Sequence, residues 1–297
     1  MGTSEAAFTS FGAAADRQAG RHGDKPFLTW YDDRRGERVE LSFRTFDNWV
    51  AKTANLLVDE LGAEPGDRVG VLLADHWQTA VVLAACWRAG MSVVVLDAPD
   101  RSGGQPAPPR APPNRAHLVA AFVREELLAA AAPALGGTVR VALTADLLGR
   151  GRHDLGGALP FARVVPAMGD RFLGGAEPVG DALEAGGEAA TMAGLLERAA
   201  ALATRAGLTE ADRMLSGLPL LSPAGAAAGL LAPFAAGAGV VLAAGFEPDR
   251  FWKRVADERV ALAVLDPAQA AAVLAAGPPP AGLDRSRFRA VVPYPLP

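Results

Sequence analysis

The sequence predicts an α/β protein with mostly parallel, layered sheets and flanking helices. From residue 65 to residue 96, a strand pattern, a helix and a second, wholly apolar strand follow one another. A crossover of this kind requires parallel pairing with both sheet faces covered. Strand and helix patterns alternate again from residue 191 to residue 292, as in α/β layers. A length of 297 residues with 50% apolar composition suffices for about two domains with buried cores.

The first hundred residues predict a hairpin, a helix and a strand–helix–strand unit. Residues 27–31 and 38–41 are strand patterns around turn residues, and a helix follows from Ser42 to Gly62. The next helix begins with Asp75 and Gln78, which match a capping box. We expect the strands at 69–73 and 93–96, on either side of that helix, to be adjacent and parallel.

The chain divides by composition into three parts. Residues 1–98 hold the hairpin and the strand–helix–strand unit, and residues 117–297 form a second α/β part that continues the same fold. Between them, residues 99–116 contain six prolines and predict an exposed linker or loop. In the second part, the patterns predict helices at 118–132, 191–206, 224–236, 248–258 and 267–275, strands at 139–143, 161–165, 213–216, 239–242, 260–264 and 288–292, and an otherwise irregular stretch over 149–188.

Charge and cysteine content exclude several classes of protein. With 29 basic and 33 acidic residues the net charge is −4, which provides no basic face for nucleic acid. The single cysteine, Cys86, excludes an internal disulfide and cysteine-based zinc motifs, and it lies in an apolar helix where burial is expected. The absence of a disulfide framework favours a cytoplasmic protein.

No metal, membrane or cofactor motif stands out. The four histidines lie far apart, so a histidine-based metal site is not predicted. Residues 222–246 carry no charge, but their glycines, prolines and alanines predict a helix, a turn and a strand instead of a membrane span. The N-terminus lacks a signal peptide, and neither a Walker motif nor a Gly-x-Ser-x-Gly elbow occurs.

Several segments in order resemble the AMP-binding, adenylate-forming enzymes, the acyl-CoA synthetases and their relatives. These segments are GDRVGVLL at 66–73, the helix ending in Ala89-Gly90, VVVLD at 93–97, DRMLS at 212–216 and Leu218-Pro219-Leu220. More narrowly, residues 27–33 and HWQTA at 76–80 resemble a short, uncharacterised actinobacterial family distantly similar to those enzymes. The resemblance implies the N-terminal part of the adenylate-forming fold.

The chain differs from that family at the segments that carry the family's phosphate-binding and catalytic residues. The family's phosphate loop, a Ser/Thr/Gly run ending in Pro-Lys-Gly, falls at residues 183–190, which read LEAGGEAA with two acids and no lysine. Acidic groups oppose polyphosphate binding. The family's histidine after Leu218-Pro219-Leu220 is replaced by Leu221-Ser222, and no lysine follows Lys253. The resemblance therefore implies a truncated relative that lacks the phosphate loop and the catalytic lysine.

These departures favour a degenerate, non-catalytic protein, a pseudoenzyme that binds a ligand or another protein. The alternative is an AMP- or acyl-binding enzyme of the acyl-CoA synthetase type, active only with a partner or through a divergent site. No cofactor and no catalytic or metal-binding residue is predicted, and residual AMP or ATP binding is the less favoured interpretation. The ligand class left open is a small acyl or nucleotide molecule.

A ligand site is predicted at the carboxyl ends of two strands, where α/β sheets bind ligands. One strand is followed by Asp75, His76 and Trp77. The other is followed by Leu218, Pro219 and, after two leucines, Ser222. Because the missing half of the family's fold would cover part of this rim, we also expect self-association or a protein partner here.

Overall fold

Two compact units make up the fold, each assembled from segments that are distant in sequence. The computed structural model describes residues 11–96, 117–144, 146, 151, 154–279 and 288–293. Of these, residues 11–46, 75–77 and all those from 193 onward form the first unit, and the remainder form the second. The predicted linker at 99–116 and Asp97 lie outside the described residues.

The described residues form strands and helices whose bounds are as follows. The strands are β1 (Pro26–Asp32), β2 (Glu37–Ser42), β3 (Arg68–Leu72), β4 (Ser92–Val95), β5 (Leu118–Arg124), β6 (Val139–Leu143), β7 (Leu159–Pro160), β8 (Asp181–Ala185), β9 (Glu188–Thr191), β10 (Arg213–Ser216), β11 (Gly239–Ala243), β12 (Leu262–Leu265) and β13 (Ala290–Pro293). The α-helices are α1 (Phe11–His22), α2 (Phe43–Asn55), α3 (Trp77–Arg88), α4 (Leu128–Leu135), α5 (Phe161–Val164), α6 (Met192–Ala206), α7 (Pro223–Ala226), α8 (Ala232–Ala236), α9 (Pro248–Asp257) and α10 (Pro267–Ala276).

The first unit is built on a six-stranded sheet in the order β13-β12-β10-β11-β1-β2. All pairs are parallel except β1–β2, which is the predicted hairpin, so that prediction is confirmed. β1 lies between β2 and β11, with Leu28 opposite Val240. The other edge of the hairpin strand β1 therefore pairs with β11, a strand from the second half of the sequence.

A cluster of phenylalanines forms part of the first unit's core. Phe27 of β1 contacts Phe43, Phe46 and Phe234 at ring-centroid distances of 4.8, 4.9 and 5.0 Å. Phe11 stacks on Phe234 at 5.4 Å. Sequence patterns predict no element before residue 27, but this contact and the burial of Phe11 hold α1 against the core. A second core contains apolar residues of β10, β11, α9 and α10, among them Leu215, Val241, Phe251, Val255 and Val273.

The second unit has a seven-stranded sheet in the order β7-β6-β5-β3-β4-β8-β9. β3 and β4 are parallel neighbours, with Val69 opposite Val93, which confirms the predicted strand–helix–strand unit. Its crossover helix α3 is buried from Gln78 to Arg88. Only β8 and β9 run antiparallel in this sheet.

Two predicted elements in the second unit are wrong. Residues 118–124 form the strand β5, not the start of a helix, and β5 lies between β3 and β6 with Phe122 fully buried. Because a central parallel strand is covered on both faces, its apolar run has no alternation to distinguish it from a buried helix. Phe161–Val164 is a helical turn instead of a strand, with Phe161 buried. The supposedly irregular stretch at 149–188 also contains β8 and the start of β9.

The predicted elements from residue 191 onward are confirmed, with boundary shifts of one or two residues. The uncharged stretch at 222–246 forms α7, a π-helical turn and α8, then a left-handed turn at Gly237 (φ +66°) and β11. Across the described part of the chain, no helix combines the length and apolar character needed to cross a membrane.

Candidate functional site

A cleft with a cavity volume of about 50 Å³ lies in the first unit at the carboxyl ends of β10 and β11. It opens where the chain leaves β10 at Ser216 and β11 at Ala243. This edge of a parallel sheet is where α/β proteins bind ligands. Its lining residues are Asp33, Asp75, Leu215, Ser216, Gly217, Leu218, Leu220, Val241, Leu242, Ala243, Gly245, Phe246, Glu247, Arg250, Phe251 and Arg254.

Asp75 is held in the cleft by two hydrogen bonds from different parts of the unit. Its backbone carbonyl accepts a hydrogen bond from Trp30 Nε1 at 3.0 Å, and its Oδ1 accepts one from the Leu220 backbone N–H at 2.8 Å. Burial raises the pKa of the Asp75 carboxyl to about 6, against the smaller opposing effect of the Leu220 hydrogen bond. Among the described residues, no cationic side chain forms a salt bridge with it.

A charged cluster forms another part of the lining. Arg254 Nη2 donates to both carboxylate oxygens of Asp33 at 2.8 Å, and the Arg254 guanidinium lies 3.2 Å from the centroid of the Tyr31 ring. Arg250 pairs with Glu247 at 2.9 Å and lies 3.6 Å from Asp33. Each charge in this cluster therefore has an opposite charge beside it.

The remaining wall is apolar and rigidly supported. Leu218 and Leu220 are nearly fully buried, as is Phe251. Gln269 Nε2 donates to the Gly217 carbonyl at 2.6 Å, and the same Gln269 side chain closes the capping box of α10. A Cβ at Gly217 would lie 2.7 Å from both Gln269 Oε1 and Leu265 Cδ2, so a larger residue would displace these side chains. The cleft thus combines an apolar wall with a balanced ion cluster and one carboxyl lacking a cation.

The six residues predicted for the site fall into three pairs: two line the cleft, two are aromatic residues packed outside it, and two belong to a turn. Asp75 and Leu218 line the cleft. His76 packs edge-on against Trp30 at 4.2 Å and lies 5.6 Å from Trp77, and neither residue lines the cleft. The other two belong to the turn that follows Leu218.

That turn is fixed by Pro219 and Ser222. Ser222 Oγ donates to the Pro219 carbonyl at 2.8 Å and accepts from the Gly225 N–H at 3.0 Å, which caps α7. A Cβ on Gly225 would lie only 1.8 Å from the Pro219 carbonyl oxygen. Asp33, Arg250 and Arg254 were not predicted for the site. Asp33 ends the 27–33 segment that carries the family resemblance, whereas Arg250 and Arg254 lie on a helix with no motif.

The segment that should hold the phosphate loop forms a tight hairpin in the second unit. Ala185 of β8 pairs with Glu188 of β9, so only Gly186 and Gly187 make the turn, with φ of +57° and +86°. Two glycines with positive φ are typical of a two-residue hairpin turn. Glu184 on β8 accepts two hydrogen bonds from Arg68 Nη2, both at 2.6 Å.

The described residues contain no cluster of three or more His, Cys, Asp or Glu side chains arranged to hold a metal ion. One of the four histidines, His153, lies outside those residues.

Comparison with known proteins agrees with this geometry. Residues 15–117 match the AMP-binding enzyme family. The structure resembles an acyl-CoA synthetase of Brucella canis, with a TM-score of 0.70, 19% identity and 94% of this chain matched to 52% of that chain. It also resembles the inhibitor-bound N-terminal domain of FACL13 from Mycobacterium tuberculosis, with a TM-score of 0.72, 16% identity and 97% of this chain matched to 71% of that chain.

These matches define the fold and how much of it is present. The chain spans about half the length of the Brucella canis structure, and both structural likenesses concern the fold alone. At the level of sequence, a TIGR03089 family protein of Mycobacterium tuberculosis is 37% identical over 236 residues, which are 79% of this chain and 89% of that relative. The chain therefore belongs to the TIGR03089 family, with the fold of the N-terminal part of the adenylate-forming enzymes.

Proposed function

We propose that this protein binds a small organic molecule in the cleft at the carboxyl ends of β10 and β11 and forms no acyl-adenylate. The observation that carries the proposal is the two-residue turn at Gly186 and Gly187. A phosphate-binding loop presents free backbone N–H groups and a cation to the phosphates. Here the backbone of β8 and β9 is engaged in strand pairing, Glu188 adds negative charge, and the Arg68 guanidinium beside the hairpin is already paired with Glu184.

The lysines support the same conclusion, because each is occupied elsewhere. Lys25 Nζ donates to the Gly237 carbonyl at 2.7 Å, and Lys52 Nζ donates to the Pro166 carbonyl at 3.1 Å. Lys253 pairs with Asp257 at 2.6 Å within α9. These are all the lysines of the chain, and none belongs to the β8–β9 hairpin.

The test is carboxylate-dependent exchange of pyrophosphate into ATP. With magnesium and a panel of carboxylic acids, we expect no exchange above that of heat-inactivated protein. Exchange that depends on both the protein and a carboxylate contradicts the proposal. Glu184→Gln, which removes an acid near the missing loop, serves as a matched variant and should also show no exchange.

The second candidate is an AMP- or acyl-binding enzyme that acts with a partner. The match of residues 15–117 to the AMP-binding enzyme family favours it. A ligand that binds only the native state raises the midpoint of thermal unfolding. A thermal-shift series with AMP, ATP and acyl-CoAs separates the two candidates, since the first expects no shift with AMP or ATP and the second expects one.

A further inference from the structure

The acids that line the cleft differ in how their charge is balanced. Asp33 is paired with Arg254, and Glu247 with Arg250. Asp75 is the acid of the described lining that has no cation beside it. Its described hydrogen bond at the side chain is the one from the Leu220 N–H to Oδ1. Oδ2 is therefore available to a donor that no described residue of the protein supplies.

A largely buried carboxylate without a cation is costly, because desolvation is offset only by pairing and hydrogen bonds. Trp30 and Leu220 hold Asp75 in this position from two sides. Beside it, Leu218, Phe246 and Phe251 present an apolar wall. A ligand that satisfies both features carries a hydrogen-bond donor with positive charge at one end and an apolar group at the other.

We propose that the cleft binds a small organic cation, a primary amine joined to an apolar group, whose N–H groups donate to Asp75. This inference rests on the proposed function, because it names the ligand class of the same cleft. A carboxylate head in the same place would meet Asp75 as a like charge. The positive charge of Arg254 is already balanced by Asp33, although its Nη1 has no hydrogen-bond partner among the described residues.

The test compares three molecules with one tail and different heads: hexylamine, 1-hexanol and hexanoate. Calorimetric titration of the full chain at pH 7 measures the three dissociation constants. A charge-assisted hydrogen bond contributes about 1.5–3 kcal/mol. We therefore expect hexylamine to bind at least about tenfold more tightly than either of the other two.

Two variants test whether the tighter binding of hexylamine depends on Asp75. Asp75→Asn keeps an oxygen for the Leu220 N–H but removes the charge, so hexylamine should lose about tenfold in affinity while 1-hexanol is little changed. Asp249→Asn is the matched control, because Asp249 is an exposed acid of α9 that does not line the cleft. It should bind all three as the native protein does. Thermal unfolding of each variant checks that it is folded.

Several outcomes overturn the inference. They are equal or tighter binding of hexanoate, no binding of hexylamine at concentrations up to about 10 mM, or an Asp75→Asn variant that still prefers the amine. None of these outcomes concerns adenylate formation. Pyrophosphate exchange contradicts the proposed function, whereas hexanoate binding without exchange contradicts only the ligand class.

Discussion

At the scale of single residues, Asp75 couples the stability of the protein to pH. Burial raises the pKa of its carboxyl from 3.8 to about 6, so the folded state holds this proton more tightly than the unfolded chain does. The contribution of Asp75 to the free energy of unfolding therefore falls as pH rises from about 4 to about 6, and the loss is complete above the folded pKa. Asp75 thus destabilises the ligand-free protein at neutral pH.

Asp75→Asn removes this penalty while keeping an acceptor for the Leu220 N–H. We expect the variant to be more stable than the native protein by about 1–3 kcal/mol at pH 7 and nearly equal to it at pH 4. Urea unfolding across this pH range measures the difference. Comparing the two proteins cancels the titration of groups distant from Asp75. A difference that stays constant with pH contradicts the assignment to Asp75.

Gly225 illustrates a second constraint at this scale, a close backbone approach. Because a Cβ would lie 1.8 Å from the Pro219 carbonyl oxygen, Gly225→Ala should displace the turn after β10 and cost about 1–3 kcal/mol. Thermal unfolding measures the loss. Gly20→Ala is the matched control, because Gly20 has no atom within 4 Å of its Cβ position on α1, where alanine should be neutral or slightly stabilising. Equal effects of both changes count against the steric explanation.

The composition of the cleft shows how far single residues can be predicted from sequence. Asp75 and Leu218 were predicted because they follow apolar strands, and the rule that strand ends form the ligand edge applies locally. Asp33 and Arg254 are 221 positions apart, and their pairing depends on β1 and α9 meeting in the fold. No local sequence pattern predicts this pairing, so the ion pair between Asp33 and Arg254 could be found only in the structure.

At the scale of elements, the β8–β9 hairpin depends on its link to β3. Arg68 is 16% exposed and Glu184 34% exposed, so their pairing is only partly screened by solvent. We expect Glu184→Gln to lower the free energy of unfolding by about 1 kcal/mol. Glu188→Gln, an exposed acid across the same turn, should have no measurable effect. Chemical denaturation of both variants is the measurement, and equal stabilities contradict a role for the Arg68 pair.

The burial of a helix or strand determines whether its type can be predicted from the sequence. The hairpin and the β3–α3–β4 unit were predicted correctly, since turn residues and apolar strand patterns mark their boundaries. The predicted capping box of α3 was wrong, because the helix begins at Trp77 and the Asp75 carboxylate accepts from the Leu220 N–H instead. β5 was assigned to a helix because a strand covered on both faces is apolar throughout. α1 has only three buried residues, Phe11, Ala14 and Ala15, so its amphipathic pattern is too short to recognise.

At the scale of the whole molecule, neither compact unit is continuous in sequence. The first takes β1 and β2 from the N-terminal part of the chain and β10 to β13 from beyond residue 212. A fragment of residues 1–116 lacks β11 beside β1 and β5 beside β3. We therefore expect this fragment to show no cooperative thermal unfolding by circular dichroism, whereas the full chain does. A cooperative transition in the fragment contradicts this expectation.

The position of β1 between β2 and β11 also has a consequence for synthesis on the ribosome. Leu28 and its partner Val240 are separated by about 210 residues, which take on the order of 10–40 s to translate at about 5–20 residues per second. Throughout that time one edge of β1, with Phe27, Leu28 and Trp30, lacks the neighbour that later buries it. The nascent chain is therefore most prone to aggregation before residue 243 emerges, and chaperone contacts during translation should concentrate on this hairpin.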